Sequence, residues 1–546
     1  MKIAVRQPSG EQEVTCREGQ TVLDVLMEAG IAIDAVCGGH GKCGRCLVQI
    51  GEGLDAPWRL ACLEPVSEGK TVQVPDKSPL VVQERGSNFT ASRFPLTPEQ
   101  PIVLESAPAD AAAANAVAAL AGAAHSRYGL AVDIGTTTVV AHLYDLTTGS
   151  RLATVGRVNP QASFGADVIS RISASMDGKL PLMTARIVEA IRDMRGQLCA
   201  KTGVEPDQCT SAAVAGNTVM GHIFVGFPPD SIGVSPFEPL SKFGDVHSIE
   251  GIGACYLVPA VAGYVGGDIV AGLLACDYEL AEDAHAQDAQ TAQAGEAFPT
   301  RLFLDLGTNG EMALSHNGEI ACCATAAGPV FEGAGIACGM PATAGAISHV
   351  HIEDGQVSIQ TVDGGPATGV CGTGVVDAVA ALLSCGVIDE TGLLLDEDEV
   401  DEAYAPRIGE RDGYAVFFLT DDQSVYLTQK DVRNVQLAKA AVSAGVYTMM
   451  DHFGITPDDI ESVQIAGGFG AFIDVASAAR IGLFPAQLQS RAKSVGNAAA
   501  EGASLALLSA DARAYAMRLA KECHYIELST SQEFNTFYVE QMAFEE

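Results

Sequence analysis

The stretch LAVDIGTTTVVAHLYDLTTG, residues 130–149, recurs in outline as LFLDLGTNGEMALSHNGEI at residues 302–320. Each copy has an apolar strand, an aspartate (Asp133 or Asp305), a short turn with glycine and threonine, and a second apolar strand. From Tyr128 to the end of the chain, strand-like and helix-like segments alternate. Alternation of this kind is typical of an α/β architecture. The recurrence predicts a duplicated fold.

Both turns present backbone N–H groups and threonine hydroxyls between two strands. Such groups bind anions, and an aspartate beside them can hold Mg²⁺ through water. A third motif, IAGGFG at residues 465–470, would let the backbone lie flat against adenosine. The sequence has no G-x4-G-K-[ST] motif, and GYVGGD at residues 263–268 lacks the lysine, so a P-loop is not predicted.

In this order the three motifs resemble the phosphate-1, phosphate-2 and adenosine motifs of the acetate kinase, sugar kinase, heat-shock chaperone and actin superfamily. The resemblance implies an ATP and Mg²⁺ site in a cleft between two similar halves, with closure coupled to nucleotide state. The residues that carry it are Asp133, Gly135, Thr136, Thr137, Thr138, Asp305, Gly307, Thr308, Asn309, Gly310, Gly467 and Gly468. Glu311 is a candidate for orienting the attacking water, and an exposed strand residue is the alternative interpretation.

A second chemical motif lies near the N-terminus. CGGHGKCGRC at residues 37–46 places Cys37, Cys43 and Cys46 in a glycine-rich loop, and Cys62 follows. A [2Fe–2S] cluster needs four thiolates, and glycine lets a loop wrap around the cluster and expose N–H groups to its sulfurs. The spacing C-x5-C-x2-C-x15-C therefore predicts a [2Fe–2S] cluster.

Zinc is the main alternative for these cysteines. Paired C-x2-C knuckles are expected at a zinc site, whereas here a single knuckle follows a long glycine loop. His40 lies inside the loop, but Rieske centres use two histidines and no second one is near in the sequence. We therefore expect His40 to lie outside the ligand set.

The cysteine segment resembles the [2Fe–2S] ferredoxins. The plant branch uses C-x4-C-x2-C, and this chain has one more residue in the first gap, as the adrenodoxin branch does. The short gap to Cys62 departs from both branches. Around the loop we expect strands at 2–7 and 11–16, a helix capped by Thr21, and Trp58 packed against the domain.

The predicted fold class is α/β and α+β, with several domains. Residues 1–78 form a β-grasp, ferredoxin-like domain, and residues 79–127, rich in proline and then alanine, form a linker region. The duplicated actin-like ATPase fold follows, with its first half at 128–300 and its second half, including the adenosine motif, at 301–546. Residues 278–298 contain few large apolar side chains, which predicts a mobile surface insertion.

Charge and composition narrow the range of partners. Among 546 residues, 32 are Lys or Arg and 68 are Asp or Glu, and the formal net charge is −36. Such a charge repels phosphate backbones and anionic lipids, so neither nucleic acid nor a membrane is an expected partner. The N-terminus lacks an export signal, so we expect a cytoplasmic protein, in which clustered cysteines indicate metal or redox chemistry rather than disulfides.

A ferredoxin module in front of an actin-like ATPase resembles the reductive activators of corrinoid proteins. NPQASFGADVISRI (159–172), VAGNTVMGHIFVG (214–226) and AGPVFEGAGIACGM (327–340) also resemble stretches of that family. The resemblance implies ATP-dependent, one-electron reduction of a Co(II) corrinoid to Co(I) on the corrinoid protein of a methyltransferase system. It also implies an upstream low-potential electron donor and allows a homodimer.

Two other activities share parts of this pattern. A non-redox reactivating chaperone has an actin-like fold but does not need an electron-carrying domain. An ATP-driven activator of a dehydratase or an aromatic-ring reductase couples an actin-like ATPase to electrons, but it holds a [4Fe–4S] cluster between subunits.

Metal analysis tests the cysteine motif. We expect about two irons and about two sulfides per chain, because four clustered thiolates suit one [2Fe–2S] cluster. Iron and sulfide determination on anaerobically purified protein measures this directly. Zinc in place of iron, or four irons per chain, would contradict the electron-transfer interpretation.

Overall fold

In a computed structural model, the residues described are 1–7, 10–31, 33, 35, 39, 41, 46–51, 56–74, 93–104, 126–281, 298–470 and 472–545. The described residues fall into two compact units. The first lies within Met1–Pro79 and Ile102–Leu257, and the second within Leu80–Pro101 and Val258–Glu546. The cysteine-bearing domain therefore belongs to the same unit as the first of the two repeated stretches.

The N-terminal domain is a small mixed sheet with one helix packed on it. Its elements are β1 (Lys2–Gln7), β2 (Gly10–Thr15), α1 (Val22–Glu28), β3 (Leu47–Ile50), β4 (Trp58–Leu60) and β5 (Thr71–Gln73). The sheet order is β2-β1-β5-β3-β4, and β1 runs parallel to β5, which is the β-grasp arrangement. The predicted hairpin is confirmed, as is the start of α1, where Thr21 and Asp24 form a capping box.

The rest of the first unit is a six-stranded sheet with helices. Its elements are β6 (Tyr128–Ile134), β7 (Thr138–Asp145), β8 (Ser150–Val158), α2 (Val168–Ala174), α3 (Leu180–Thr202), β9 (Cys209–Gly216), α4 (Thr218–Val225), β10 (Val246–Ile249) and β11 (Gly253–Leu257). The sheet order is β10-β11-β9-β6-β7-β8. Residues 129–132 of β6 are all buried, as expected for a central strand.

The second unit contains a further six-stranded sheet, two three-stranded sheets and most of the helices. Its elements are α5 (Gly267–Ala275), β12 (Arg301–Leu306), β13 (Gly310–His316), β14 (Glu319–Thr325), β15 (Ala346–Glu353), β16 (Gln356–Thr361), β17 (Gly369–Val370), α6 (Gly372–Ser384), β18 (Ile408–Arg411), β19 (Tyr414–Phe418), β20 (Tyr426–Thr428), α7 (Gln429–Phe453), β21 (Ser462–Ala466), α8 (Gly467–Gly470), α9 (Val475–Arg480), β22 (Ala492–Gly496), α10 (Ala498–Leu508), α11 (Ala510–Glu522), β23 (His524–Tyr525) and α12 (Gln532–Glu540). The large sheet has the order β22-β21-β12-β13-β14-β23.

Five strands of each six-stranded sheet share one topology, and the sixth strands, β10 and β23, lie at opposite edges. In each, the strand that ends in the motif aspartate pairs antiparallel with the next strand, which pairs antiparallel with a third. On its other side the same strand has a parallel neighbour, β9 in the first sheet and β21 in the second. Both parallel neighbours have a further parallel strand beyond them. This correspondence confirms the duplicated fold predicted from the repeated stretches.

Part of the predicted linker is packed against the second unit. The guanidinium of Arg93 lies 4.1 Å from the centre of the Tyr515 ring and donates to the carbonyl of Tyr278. Further along, the amide of Thr97 donates to the carbonyl of Leu508 and its hydroxyl accepts from the amide of Ala510. Residues 93–100 are thus an anchored segment, and the alanine-rich stretch at 105–125 lies outside the described residues.

The predicted insertion at 278–298 begins with buried residues. Tyr278 and Leu280 are both buried, so a surface segment can begin only after them. Residues 282–297 lie outside the described residues. The boundary between the ATPase halves at residue 300 stays a prediction, and residues 258–281 group with the second unit.

A helix that crosses a bilayer needs about 20 consecutive, mostly apolar residues. No helix of the described residues combines that length with that apolar character.

The crossing of α5 and α10 predicts a sensitivity to side-chain size. A Cβ added at Gly502 would overlap the carbonyl of Ala271, whereas a Cβ on Gly196 of α3 would meet open space. We expect Gly502→Ala to lower the free energy of unfolding by about 1–3 kcal/mol because helix α10 must move outward. Gly196→Ala is the control, and it should raise that energy by up to about 1 kcal/mol. Thermal unfolding midpoints measure both, and equal midpoints for the two variants would contradict the close crossing.

Candidate functional site

Two of the four predicted cluster cysteines lie in the described residues, and they are adjacent. The sulfurs of Cys46 and Cys62 are 3.3 Å apart, close enough for both to bind one tetrahedral metal ion. Cys46 directly precedes β3, and Cys62 follows β4, which is antiparallel to β3. The β3–β4 pairing therefore explains how the short gap to Cys62 still brings this thiol to the loop. Cys37, Cys43 and His40 lie outside the described residues.

The surface beside these two cysteines is apolar. Leu63, next to Cys62, is 63% exposed, and Trp58 on β4 is 49% exposed. The prediction that Trp58 packs against the domain is therefore wrong, since about half of this side chain is exposed on the edge strand β4. Helix α1 supports the segment from within, since the amide of Leu23 donates to the carbonyl of Ala61.

Several cysteines outside the cluster motif have raised pKa values because they are shielded from solvent. Burial raises the pKa of Cys209, Cys255 and Cys276 to about 12, so these thiols stay protonated near neutral pH. Thiolate, not thiol, is the ligand form. In the described ranges, which leave out Cys37 and Cys43, no group of three or more His, Cys, Asp or Glu side chains is placed to hold a metal ion.

The first glycine–threonine turn connects β6 to β7. Asp133 lies near the end of β6, partly exposed, and residues 135–137 make the turn before Thr138 begins β7. A Cβ on Gly135 would come within 2.8 Å of the carbonyl of Thr138, so the tight approach of the two strands requires glycine at this position. The turn therefore connects two paired strands, as the sequence predicts.

Three buried polar side chains hold this turn from below. Asn159 donates from its side chain to the carbonyl of Gly135 at 2.7 Å, and its backbone amide donates to the carbonyl of Thr137. Arg171 on α2 donates to the carbonyl of Thr136 at 2.6 Å. The amide of the Asn217 side chain donates to the hydroxyl of Thr136 at 3.1 Å. Because the supports bind its carbonyls, the N–H side of the turn is fixed in orientation.

Sequence reasoning did not assign roles to these three residues. Asn159 and Arg171 belong to NPQASFGADVISRI, and Asn217 belongs to VAGNTVMGHIFVG. Both stretches resemble a family, but the resemblance by itself gives no role to the single residues. The available signal was a set of polar residues, Asn159, Arg171 and Asn217, placed at the start or inside of helical segments that are otherwise apolar.

The second turn, between β12 and β13, is built from Gly307, Thr308 and Asn309. The amide of Gly307 donates to the carbonyl of Asn309 at 3.1 Å, which closes the turn. The hydroxyl of Thr308 donates to a carboxylate oxygen of Glu332 at 2.8 Å. The carbonyl of Gly310 accepts from the hydroxyl of Thr325 on β14. These contacts fix the turn from inside the second unit.

The adenosine motif begins beside this second turn. Gly467 follows the end of β21, which runs parallel to β12, and Ala466 is in register with Asp305. Gly467 has a φ of +95°, and a Cβ there would lie 2.5 Å from a carboxylate oxygen of Asp305. Glycine is therefore required both by the backbone and by the space beside Asp305. Gly468 is next in the chain and is exposed.

Two glutamates lie next to the second turn. Glu311 is 6% exposed and in register with Asp305 across the β12–β13 pair, so its interpretation as an exposed strand residue is wrong. Glu332, which sequence reasoning missed, has its other carboxylate oxygen 3.7 Å from the Cβ position of Gly307. It belongs to AGPVFEGAGIACGM, where an acidic residue between glycines was the available signal. A catalytic role for either remains a proposal.

Comparison with known proteins defines the class. Models of a 2Fe-2S iron-sulfur cluster binding domain, of the RACo middle region and of the C-terminal domain of RACo, the ASKHA domain, match residues 6–67, 128–281 and 299–546. The chain is therefore a [2Fe–2S]-binding domain joined to an ASKHA ATPase domain. Here ASKHA denotes the acetate kinase, sugar kinase, heat-shock chaperone and actin superfamily.

Full-length relatives define the family. The chain is 30% identical to the corrinoid activation enzyme RamQ of Eubacterium limosum over 97% of each chain. It is 25% identical to the [Co(II) methylated amine-specific corrinoid protein] reductase of Methanosarcina barkeri, over 76% of this chain and 77% of the other. A solved structure of a reductive activator for corrinoid, iron-sulfur protein is 30% identical, with a TM-score of 0.67, and covers 100% of this chain and 98% of its own. The chain belongs to the family of reductive activators of corrinoid proteins.

The position of Gly467 gives a test of the nucleotide site. We expect Gly467→Ala to lower ATP turnover at least about tenfold, because the added methyl group must displace Asp305. Gly454→Ala is the matched control, since Gly454 has a φ of +65° at the end of α7 and a Cβ there meets open space. Steady-state phosphate release measures both. Equal losses in the two variants would mean that backbone strain, not the contact with Asp305, is responsible.

Proposed function

We propose that this protein is an ATP-hydrolysing reductive activator, which returns the Co(II) corrinoid of a methyltransferase partner to Co(I) by one electron. The observation that supports it best is that one chain, similar along 97% of its length to a corrinoid activation enzyme, combines a cysteine loop with two glycine–threonine turns. Either part alone has many uses. Together they fit ATP-driven work on an electron.

Cys37, Cys43, Cys46 and Cys62 are the proposed ligands of the [2Fe–2S] group. The adjacency of the Cys46 and Cys62 sulfurs supports this assignment. When bound, the group supplies a one-electron carrier with a potential of about −400 mV if it behaves like plant-type clusters. The glycine loop would contribute N–H groups that stabilise added negative charge. The amide of Leu23 on α1 donates to the carbonyl of Ala61 and so holds the segment that carries Cys62.

The two turns and the adenosine motif are the proposed nucleotide-binding residues. Their N–H groups and the hydroxyls of Thr136 and Thr137 would bind phosphate oxygens. The hydroxyl of Thr308 donates to Glu332, so Thr308 would contribute its N–H group. Asp133 and Asp305 would hold Mg²⁺ through water. Gly467 and Gly468 would lie against the adenosine. Glu311 and Glu332, both beside the second turn, are the candidates for orienting the attacking water.

Energetics explains why ATP is needed. Co(I) is a very strong reductant, so the electron has to move to a lower potential than its donor provides. For a one-electron step, each ~59 mV of unfavourable gap costs a factor of about ten in the equilibrium constant. Coupling between sites typically amounts to about 1–3 kcal/mol, which offsets a gap of roughly 40–130 mV. The free energy that a conformational change on nucleotide binding or hydrolysis typically supplies is therefore large enough to offset such a gap.

The partner is a corrinoid protein, as the names of the relatives indicate for those proteins. We further propose that this partner belongs to a methyltransferase system, that an upstream low-potential protein supplies the electron, and that the site of action is the cytoplasm. A homodimer is compatible with this proposal.

Reduction of a corrinoid protein tests the function directly. With a low-potential reductant and MgATP, the protein should convert Co(II) to Co(I) on its partner, followed by the cobalt absorption spectrum. Cys43→Ser should stop this reduction without stopping ATP binding, because thiolate ligation and phosphate binding use separate segments. Asp133→Ala and Asp305→Ala should each abolish ATP turnover and leave the visible spectrum of the iron–sulfur group intact.

Three outcomes would contradict the proposal. Full corrinoid reactivation by Cys43→Ser would indicate a non-redox chaperone. Reduction of a dehydratase or ring reductase, with every corrinoid protein untouched, would indicate a different activator. Unchanged ATP turnover in both aspartate variants would mean that the two turns do not bind nucleotide.

A further inference from the structure

An arginine of the first ATPase half forms hydrogen bonds to the ferredoxin-like domain. Arg186 on α3 donates from Nη2 to the carbonyls of Met27 and Glu28, at 2.6 and 2.9 Å. These carbonyls belong to the last turn of α1, where helix geometry leaves carbonyl groups without partners inside the helix. A guanidinium is well suited to this position, because it presents several donors and its charge opposes the negative end of the helix dipole.

Residues of both α3 and the end of α1 favour this contact. Glu189, one turn along α3, accepts from the other terminal nitrogen of Arg186 at 3.0 Å and so orients the guanidinium. The last turn of α1 has no basic residue of its own. Gly30, with a φ of +77°, leaves room for the side chain, since a Cβ there would lie 2.5 Å from Nη1 of Arg186. The Arg186 side chain is only 16% exposed.

Helix α1 links this contact to the cysteine segment. At its other end, the amides of Val22 and Leu23 donate to the carbonyls of Glu64 and Ala61, on either side of Cys62. The side chain of Leu23 also lies 3.1 Å from the Cβ position of Gly39 in the cysteine loop. Arg186 therefore holds a helix that is fastened at its far end to the cysteine segment.

The contact does not cover the surface beside Cys62. Arg186 meets the carboxyl end of α1, whereas Leu63, next to Cys62, is mostly exposed and Trp58 on β4 is half exposed. A contact that covered the surface beside Cys62 would bury these side chains. The Arg186 contact is therefore suited to hold the ferredoxin-like domain in place without covering the surface beside Cys62.

We propose that Arg186 is a positioning residue that docks the ferredoxin-like domain on the first ATPase half, so that the cluster edge is presented to the corrinoid partner from a fixed place. The proposal rests on the proposed function for its partner, whereas the docking itself does not depend on that partner. Its effect is on electron delivery and not on nucleotide chemistry, because Arg186 lies on the outer helix α3 and contacts neither turn in the described residues.

The test compares Arg186→Ala with Arg186→Lys and Arg192→Ala. Arg192 is on the same helix, but its Nε lies 2.7 Å from the Cβ position of Gly251, in the ATPase half itself. Hydrogen exchange of the peptide Met27–Ile31 reports docking without any partner. Arg186→Ala should exchange faster by about tenfold, because hydrogen bonds from a charged donor are lost. Arg192→Ala should match the unmodified protein, and Arg186→Lys should lie between them.

Electron delivery is measured on the same proteins. Corrinoid reduction by Arg186→Ala should fall roughly threefold or more, with partial recovery in Arg186→Lys. Oxidation of the prereduced protein by ferricyanide, which needs no docked position, should not change, and neither should ATP turnover. Unchanged exchange in Arg186→Ala would overturn the docking, and unchanged or faster corrinoid reduction would overturn the positioning role. If the unmodified protein reduces no corrinoid protein, the proposed function fails while the exchange result still decides the docking.

Discussion

The guanidinium of Arg171 is fully buried, and a buried charge must be satisfied by hydrogen bonds or it destabilises the fold by several kcal/mol. Its three nitrogens meet this demand through the carbonyls of Gly165 and Thr136 and the sulfur of Met220. Two of these partners lie on different segments from α2, in the first turn and in α4. These hydrogen bonds link the first turn, α2 and α4 through one buried side chain, so movement of the turn would break one of the bonds that satisfy the charge.

The second turn is held by a different set of side chains. Thr308 is held by a carboxylate from Glu332, and Gly467 lies against Asp305, so the supports are acidic groups and glycines. Carboxylates close to a phosphate site repel it unless a cation lies between them. The two turns, which are alike in sequence, therefore lie in opposite electrostatic surroundings.

Sequence reasoning recovered the parts of this protein that depend on local rules. The capping box at Thr21, the β1–β2 hairpin and the two repeated aspartate–glycine turns are encoded by neighbouring residues, and the structure confirms them. Sequence reasoning failed where the burial or the partners of a residue depend on segments that are distant in sequence. Trp58 is half exposed on the edge strand β4, and Glu311 is buried on β13, a strand against which helix α7 packs. Asn159, Arg171 and Asn217 could not be assigned because their partner, the first turn, lies more than twenty residues away in sequence.

The anchored segment at residues 93–100 determines where the chain can be divided. Tyr515 is buried, and its ring lies against Phe94 and beneath the guanidinium of Arg93, while the carbonyl of Tyr278 accepts from the same arginine. A fragment cut at the start of β6 would keep both tyrosines and lose the residues that cover them. The natural N-terminus of an isolated ATPase fragment therefore lies ahead of Arg93, some way inside what composition alone marks as linker.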